Sequence, residues 1–243
     1  MPTGALFFSE VQMTETLKKL TGYFTKAEIA LWCSSCTLII ASFCIFDRAE
    51  YMTLAASLIG VTSLLLNAKG NPLGQLLTVI FSVFYGIISF SFAYYGEMMT
   101  YLGMTAPMAV FALVMWLRHP YNGKKSEVAV NRIGGKETIL MLCLAAAVTA
   151  AFYFILDAFD TANIVPSTIS VTTSFLAVYL TARRSEYFPL AYAANDIVLI
   201  VMWTLAAMSD ISYLSVVICF AMFLVNDIYG FISWSRMKRR QNA

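Results

Sequence analysis

Charge is scarce in this chain. Asp, Glu, Lys and Arg make up 12% of its 243 residues, against about a quarter in a soluble domain. Histidine is rarer still, with His119 standing alone. That leaves no ligand set for a metal and no base beside a nucleophile, so an enzyme is not expected and no cofactor is called for. The basic residues form no stripe on one face, which argues against nucleic acid as a partner. Cys33, Cys36, Cys44, Cys143 and Cys219 are an odd set inside apolar segments, not a disulfide framework. Cys33 and Cys36 have a redox or zinc spacing, but no second such pair follows, and packed helical thiols are the better reading. The N-terminus has no short apolar core ending in a small-residue cleavage site, so no cleaved leader is expected.

What the chain has instead is apolar length. Hydrophobic residues are 60% of it, and the mean hydropathy is +0.73. A bilayer crossing takes about 20 mostly apolar residues, and eight segments qualify: 28–46, 51–67, 72–94, 98–117, 137–157, 166–182, 187–208 and 211–235. The expected architecture is therefore an all-α membrane protein of eight transmembrane helices, with lipid against their outer faces. Before them, residues 1–27 carry a partial apolar face (Val11, Met13, Leu17, Leu20, Phe24) that Ser9 would cap, suited to the membrane surface. With a cytoplasmic N-terminus, 15 of the 16 Lys and Arg residues fall on the cytoplasmic side, and Arg48 alone falls outside. So one-sided a distribution predicts a plasma-membrane protein with both termini cytoplasmic.

A shift of 113 residues relates two parts of the chain. Gly96-Glu97 falls on Ser209-Asp210, Ser82 on Asn195, Phe90 on Trp203, and Trp116 on Tyr229. The identity is weak, but the pattern of span lengths and tight turns repeats. The predicted organisation is a cytoplasmic N-terminal segment (1–27), an extra helix (28–46), a first three-helix unit (51–117) and a cytoplasmic loop (118–136). A linker helix (137–157), a second three-helix unit (166–235) and a cytoplasmic tail (236–243) follow. One linker span between two three-span units keeps the units parallel.

Against this apolar background, Asn195-Asp196 and Asn226-Asp227 stand out. Each pair sits well inside an expected span, where ionisable groups are expensive and tend to mark function. Counting about 1.5 Å per residue from the expected cytoplasmic ends puts Asn195, Asn226 and Ser82 in one layer. Residues three and four apart share a helix face. That rule joins Phe188, Tyr192, Asn195 and Trp203 on one span, Asn226 and Tyr229 on another, and Gln75, Ser82 and Tyr85 on a third. Amides and hydroxyls in this layer suit ribose and carboxamide groups, and aromatics suit a flat, cationic ring. These nine residues are the expected substrate-binding set. Asp196 and Asp227 each follow an Asn, rotated about 100° from it, and are expected to brace the site or carry protons.

The run KGNPLGQLLTVIFSVFYGIISFSFAYYGEMMTYLGMTAPMAVFALVMWL resembles the PnuC nicotinamide riboside transporters. So does YLTARRSEYFPLAYAANDIVLIVMW, followed by VNDIYGFISW. The resemblance covers roughly residues 50–238. It implies a 3+1+3 helical bundle similar in shape to the SWEET sugar transporters, trimeric assembly, and facilitated diffusion of nicotinamide riboside. A cytoplasmic nicotinamide riboside kinase then traps the product as the mononucleotide. Family members often carry a Glu, a Trp two residues on, another Trp three later and an Asn four after that. Glu186 and Asn195 fit, but Phe188 and Ala191 stand at the Trp positions, which leaves ring stacking to Tyr192 or Trp203. Thiamine or riboflavin as substrate and proton coupling through Asp196 or Asp227 remain alternatives. A membrane enzyme has thin support in His119, and a non-transporting scaffold does not explain the clustered polar layer.

Overall fold

The computed structural model describes residues 22–91, 94–161 and 163–243. The expected surface helix before residue 22, with Lys18 and Lys19, lies outside them. The eight expected crossings are eight helices long and apolar enough to span a membrane. They are α1 (Lys26–Phe46), α2 (Tyr51–Ala68), α3 (Pro72–Ser91), α4 (Tyr95–Arg118), α5 (Gly135–Ala158), α6 (Ile164–Ala182), α7 (Phe188–Ala207) and α8 (Leu214–Gln241). Consecutive helices run in alternating directions, so the bundle has two ends. Every described Lys and Arg except Arg48 lies at the end that carries the α2–α3 turn, the α6–α7 turn and the end of α8. This is called the basic end here.

The polarity of the bundle is arranged for lipid. Ile80, Val83, Ile87, Phe111, Leu117, Phe154 and Ile197 face outward, while Ser82, Ser89, Asn67, Gln75, Glu97, Asn195, Asp196, Asn226 and Asp227 are buried. Hydrocarbon makes no demand for apolar burial, so small and polar groups hold such helices together from within. Of the helices on either side of α5 in the chain, called the two groups below (α2–α4 and α6–α8), α2 packs on α8 and α4 packs on α6. α5 packs on α6 and is largely exposed. α1 packs on both α2 and α8. A capping box starts it, in which Thr25 Oγ1 accepts from the Glu28 N–H and the Glu28 carboxylate accepts from the Thr25 N–H.

Three local features go beyond the sequence reading. First, residues 118–136 contain a hairpin, in which β1 (Pro120–Tyr121) pairs antiparallel with β2 (Lys124–Val128). Its turn, Asn122-Gly123, has positive φ at both residues (48° and 74°), as a two-residue primed hairpin turn needs. Second, Thr100–Thr105 in α4 is a π-helix. Pro107 follows and has no N–H to give to the preceding turn, so the ladder widens ahead of it. Third, α8 runs on through the expected tail to Gln241. Lys238, Arg239 and Arg240 in its last turn complement the helix dipole. Lys238 and Arg240 also pair with Glu186 and Glu127, and the Gln241 amide donates to the Val128 carbonyl at 3.0 Å.

The α2–α3 and α6–α7 turns are built alike. Asn71 N–H reaches the Leu66 carbonyl and Gly70 N–H reaches Asn67. In the second turn, Ser185 N–H reaches Leu180 and Arg184 N–H reaches Thr181. Both are Schellman endings with a left-handed residue after the helix, Gly70 (φ 65°) in one and Arg184 (φ 57°) in the other. The end of β2 and the segment after it tie the two together. Val128 N–H donates to the Gly70 carbonyl and Asn131 N–H to the Arg184 carbonyl, each at 3.0 Å.

Candidate functional site

A cavity of about 50 Å³ lies within the bundle. Gly60, Ser63 and Asn67 of α2, Thr78, Phe81 and Ser82 of α3, and Tyr101 and Thr105 of α4 form one side of it. Ser174 of α6, Tyr192, Asn195 and Asp196 of α7, and Phe220, Phe223 and Asp227 of α8 form the other. Gly60 is required by close approach, since a Cβ there would sit 2.3 Å from Cζ of Phe223. Drug-sized ligands occupy pockets of about 300–1,000 Å³, several times this volume.

Asn195 is held tightly. Its side-chain oxygen accepts from Ser170 (3.3 Å), Thr173 (2.8 Å) and Ser174 (3.0 Å), all on α6. With the carbonyl side so occupied, the amide N–H groups are what Asn195 offers to the cavity. Across the cavity, Asn67 plays the matching part on α2. It donates to Thr78 (3.1 Å) and accepts from the Gln75 amide (2.9 Å). Gln75 therefore stands behind the wall and orients Asn67, while its own buried Oε1 has no partner. Ser82 lines the cavity and donates back to the Thr78 carbonyl at 2.8 Å. Asp196 and Asp227, both almost wholly buried, meet side chain to side chain.

The aromatics expected at the site divide among three places. Tyr192 lines the cavity. Phe188 lies at the basic end, against Trp116 and Trp234 at ring distances of 6.1 and 4.8 Å. There the Trp116 indole donates to the Thr181 carbonyl (2.9 Å) and the Trp234 indole to the Asn67 carbonyl (2.8 Å). Each tryptophan so fastens its helix to the end of a helix in the other group. Tyr85 and Trp203 lie toward the opposite end, where the Trp203 indole donates to the Tyr85 hydroxyl at 2.7 Å. Phe81 and Phe220 separate that contact from the cavity, since each lines both spaces.

Asn226 and Tyr229 turn instead to α1. The Asn226 amide donates to Ser35 (2.9 Å) and to the Met222 carbonyl (2.8 Å). Tyr229 donates to Glu28 (2.8 Å), which is also paired with Lys69. On α8, then, the Asp of the pair faces the cavity and the Asn faces the first helix. The sequence reading did not pick out Asn67, Tyr101, Thr105 or the α6 hydroxyls. Ser170, Thr173, Ser174 and Ala177 lie at helical spacing on one face, a stripe of small and polar groups that gave the signal.

A family model described as the nicotinamide mononucleotide transporter matches residues 50–236. The chain belongs to the nicotinamide mononucleotide transporter family. It is similar to the nicotinamide riboside transporter PnuC of Neisseria mucosa, 24% identical over 231 residues, 93% of this chain and 87% of that protein. A crystal structure of the vitamin B3 transporter PnuC has the same fold, with a TM-score of 0.79 at 21% identity, over 91% of this chain and 96% of that one. As a member of this transporter family the chain is a multi-pass membrane transporter, not an enzyme.

Proposed function

We propose that this transporter carries nicotinamide riboside into the cell by facilitated diffusion, and that a cytoplasmic kinase traps it by phosphorylation. The observation that carries the choice of riboside over mononucleotide is the charge of the cavity. Among the described residues it is lined by two Asp and no Lys, Arg or His. A phosphate dianion calls for basic groups or backbone amides, and this cavity opposes it with carboxyls. A nucleoside without phosphate fits the amides of Asn195 and Asn67, the hydroxyls of Ser82 and Thr78, and the faces of Tyr192 and Tyr101.

The same reading assigns the rest of the machine. The basic end is cytoplasmic, by the positive-inside rule. Helices α2–α4 and α6–α8 are the two moving units and α5 is the link, an organisation supported by the exchange of contacts between α2 and α8 and between α4 and α6. Trp116, Trp234 and Phe188 close the cytoplasmic side. Trp203 and Tyr85 close the outer side, so their part is gating rather than ring stacking. Each side opens in turn, and the cavity widens to admit the nucleoside. The protein acts in the plasma membrane as a homotrimer.

The experiment is uptake of labelled nicotinamide riboside into proteoliposomes at zero membrane potential. Uptake is expected to stop when inside and outside concentrations are equal. Asn195→Ala is expected to abolish it while the protein remains monodisperse in detergent. Normal transport by that variant would remove Asn195 from the site. Accumulation driven by a pH gradient would replace diffusion by proton coupling.

A further inference from the structure

Asp196 and Asp227 are in contact within the bundle, and both line the cavity. A carboxyl–carboxyl hydrogen bond needs at least one proton, so the pair carries at most one negative charge. Among the described residues the titratable groups that face it are Tyr101, Tyr192 and Cys219, none of them a cation. No amide, hydroxyl or basic donor reaches Asp196 Oδ2, which is buried. Glu97 repeats the theme toward the opposite end. It is 2% exposed, lies against Ser170, and its Oε2 has no partner. Elsewhere the protein pairs its acids, as Glu28 with Lys69 and Glu137 with Arg183.

A single buried negative charge without a fixed partner is costly unless something positive arrives. The described residues contain no group of three His, Cys, Asp or Glu side chains that would hold a metal ion. Five aromatic residues share the wall with the pair, Phe81, Tyr101, Tyr192, Phe220 and Phe223. Ring faces attract delocalised organic cations.

We propose that the Asp196–Asp227 pair is the counter-ion for a positively charged, flat heteroaromatic ring, so that the transporter selects its cargo by charge as well as by shape. The inference rests on the reading of this cavity as the substrate site, and the pyridinium ring of nicotinamide riboside carries the required charge. The role differs from both bracing and proton carriage, because the charge that completes the pair comes with the cargo.

The test compares two ligands of nearly one shape. Calorimetry on the purified, full-length protein measures nicotinamide riboside against its dihydro form, which keeps ribose and carboxamide but has a neutral ring. The wild type is expected to favour the cation by about tenfold or more. The double variant Asp196→Asn/Asp227→Asn is expected to erase that preference, whereas either single Asn variant keeps one carboxylate beside a hydrogen-bond donor and is expected to retain it; a single symmetrical elution peak in detergent reports intact folding. Equal binding of the two forms by the wild type overturns the proposal, and so does a preference that survives in the double variant. Cationic thiamine and neutral riboflavin separate this inference from its parent. If neither riboside form binds but thiamine does, and the double variant weakens it, the charge assignment stands and the riboside reading falls. Binding of riboflavin alone, or of none of the four, ends both.

Discussion

The two ends of the bundle are closed by different means. At the basic end, indole N–H groups of Trp116 and Trp234 bond to main-chain carbonyls of the opposing group. The end of β2 and the segment after it add main-chain bonds to both tight turns, and four ion pairs surround them. At the opposite end the two groups meet through side chains, with the Trp203 indole on the Tyr85 hydroxyl at its centre. It is dressed by ring contacts to Tyr94, Tyr213 and Phe220. Carbonyls at helix ends are fixed by the helix, whereas a hydroxyl follows its rotamer. A closure anchored on backbone is thick and specific in place, and one made of side chains alone opens by rotamer changes and small helix shifts.

The largest effect is expected from Trp234→Phe, which removes an N–H donor and part of a fully buried ring. A loss of about 2–3 kcal/mol, read as thermal unfolding in detergent, would mark the basic end as the structural anchor. Gly70→Ala is next. The positive φ disfavours Ala, and its Cβ would meet Met237 and Val128 at 3.2–3.3 Å, so about 1–2 kcal/mol is expected. Tyr85→Phe removes only the acceptor of the Trp203 bond and should cost about 1 kcal/mol. Its main consequence is functional. A cysteine placed at Ser57, beside that contact, should react about fivefold faster with a membrane-impermeant thiol reagent applied from that side, if 1 kcal/mol is the whole closure. An unchanged rate would mean the closure is as firm as the basic end. The smallest effect should be a gain. Arg184→Gly relieves the left-handed strain that Gly70 avoids in the equivalent turn, and about 0.5–1 kcal/mol of added stability is expected.

Much of this architecture was legible because a bilayer imposes length and polarity on each crossing. The eight spans and the distribution of Lys and Arg follow from that alone. Helix ends drifted where packing outside the membrane decides. α8 continues through a basic stretch because Glu186, Glu127 and the hairpin receive it, and no hydropathy argument contains those partners. The site was legible in part. Depth counting put Ser82, Asn195 and Asn226 in one layer, and of these Ser82 and Asn195 line the cavity, where helical spacing also brings Tyr192. Spacing cannot say which neighbour a face meets. Asn226 faces Ser35 because α1 lies against α8, so the helix treated as an addition to the repeat takes up one of its two amides. Trp203 and Phe188 share a face with Asn195 but lie about two turns above and below it, far enough to belong to the closures rather than to the cavity.

The six-residue π turn in α4 has a consequence for the whole helix. Tyr101 and Thr105, inside it, touch the cavity, while Trp116 lies beyond it at the basic end. A π turn holds one residue more than the α ladder allows for. If the turn tightened to α geometry, everything beyond it would advance by one residue in phase, about 100° around the axis. Trp116 would then swing off the Thr181 carbonyl. A widening of the cavity that presses on Tyr101 would thus be converted into rotation at the far end of the same helix.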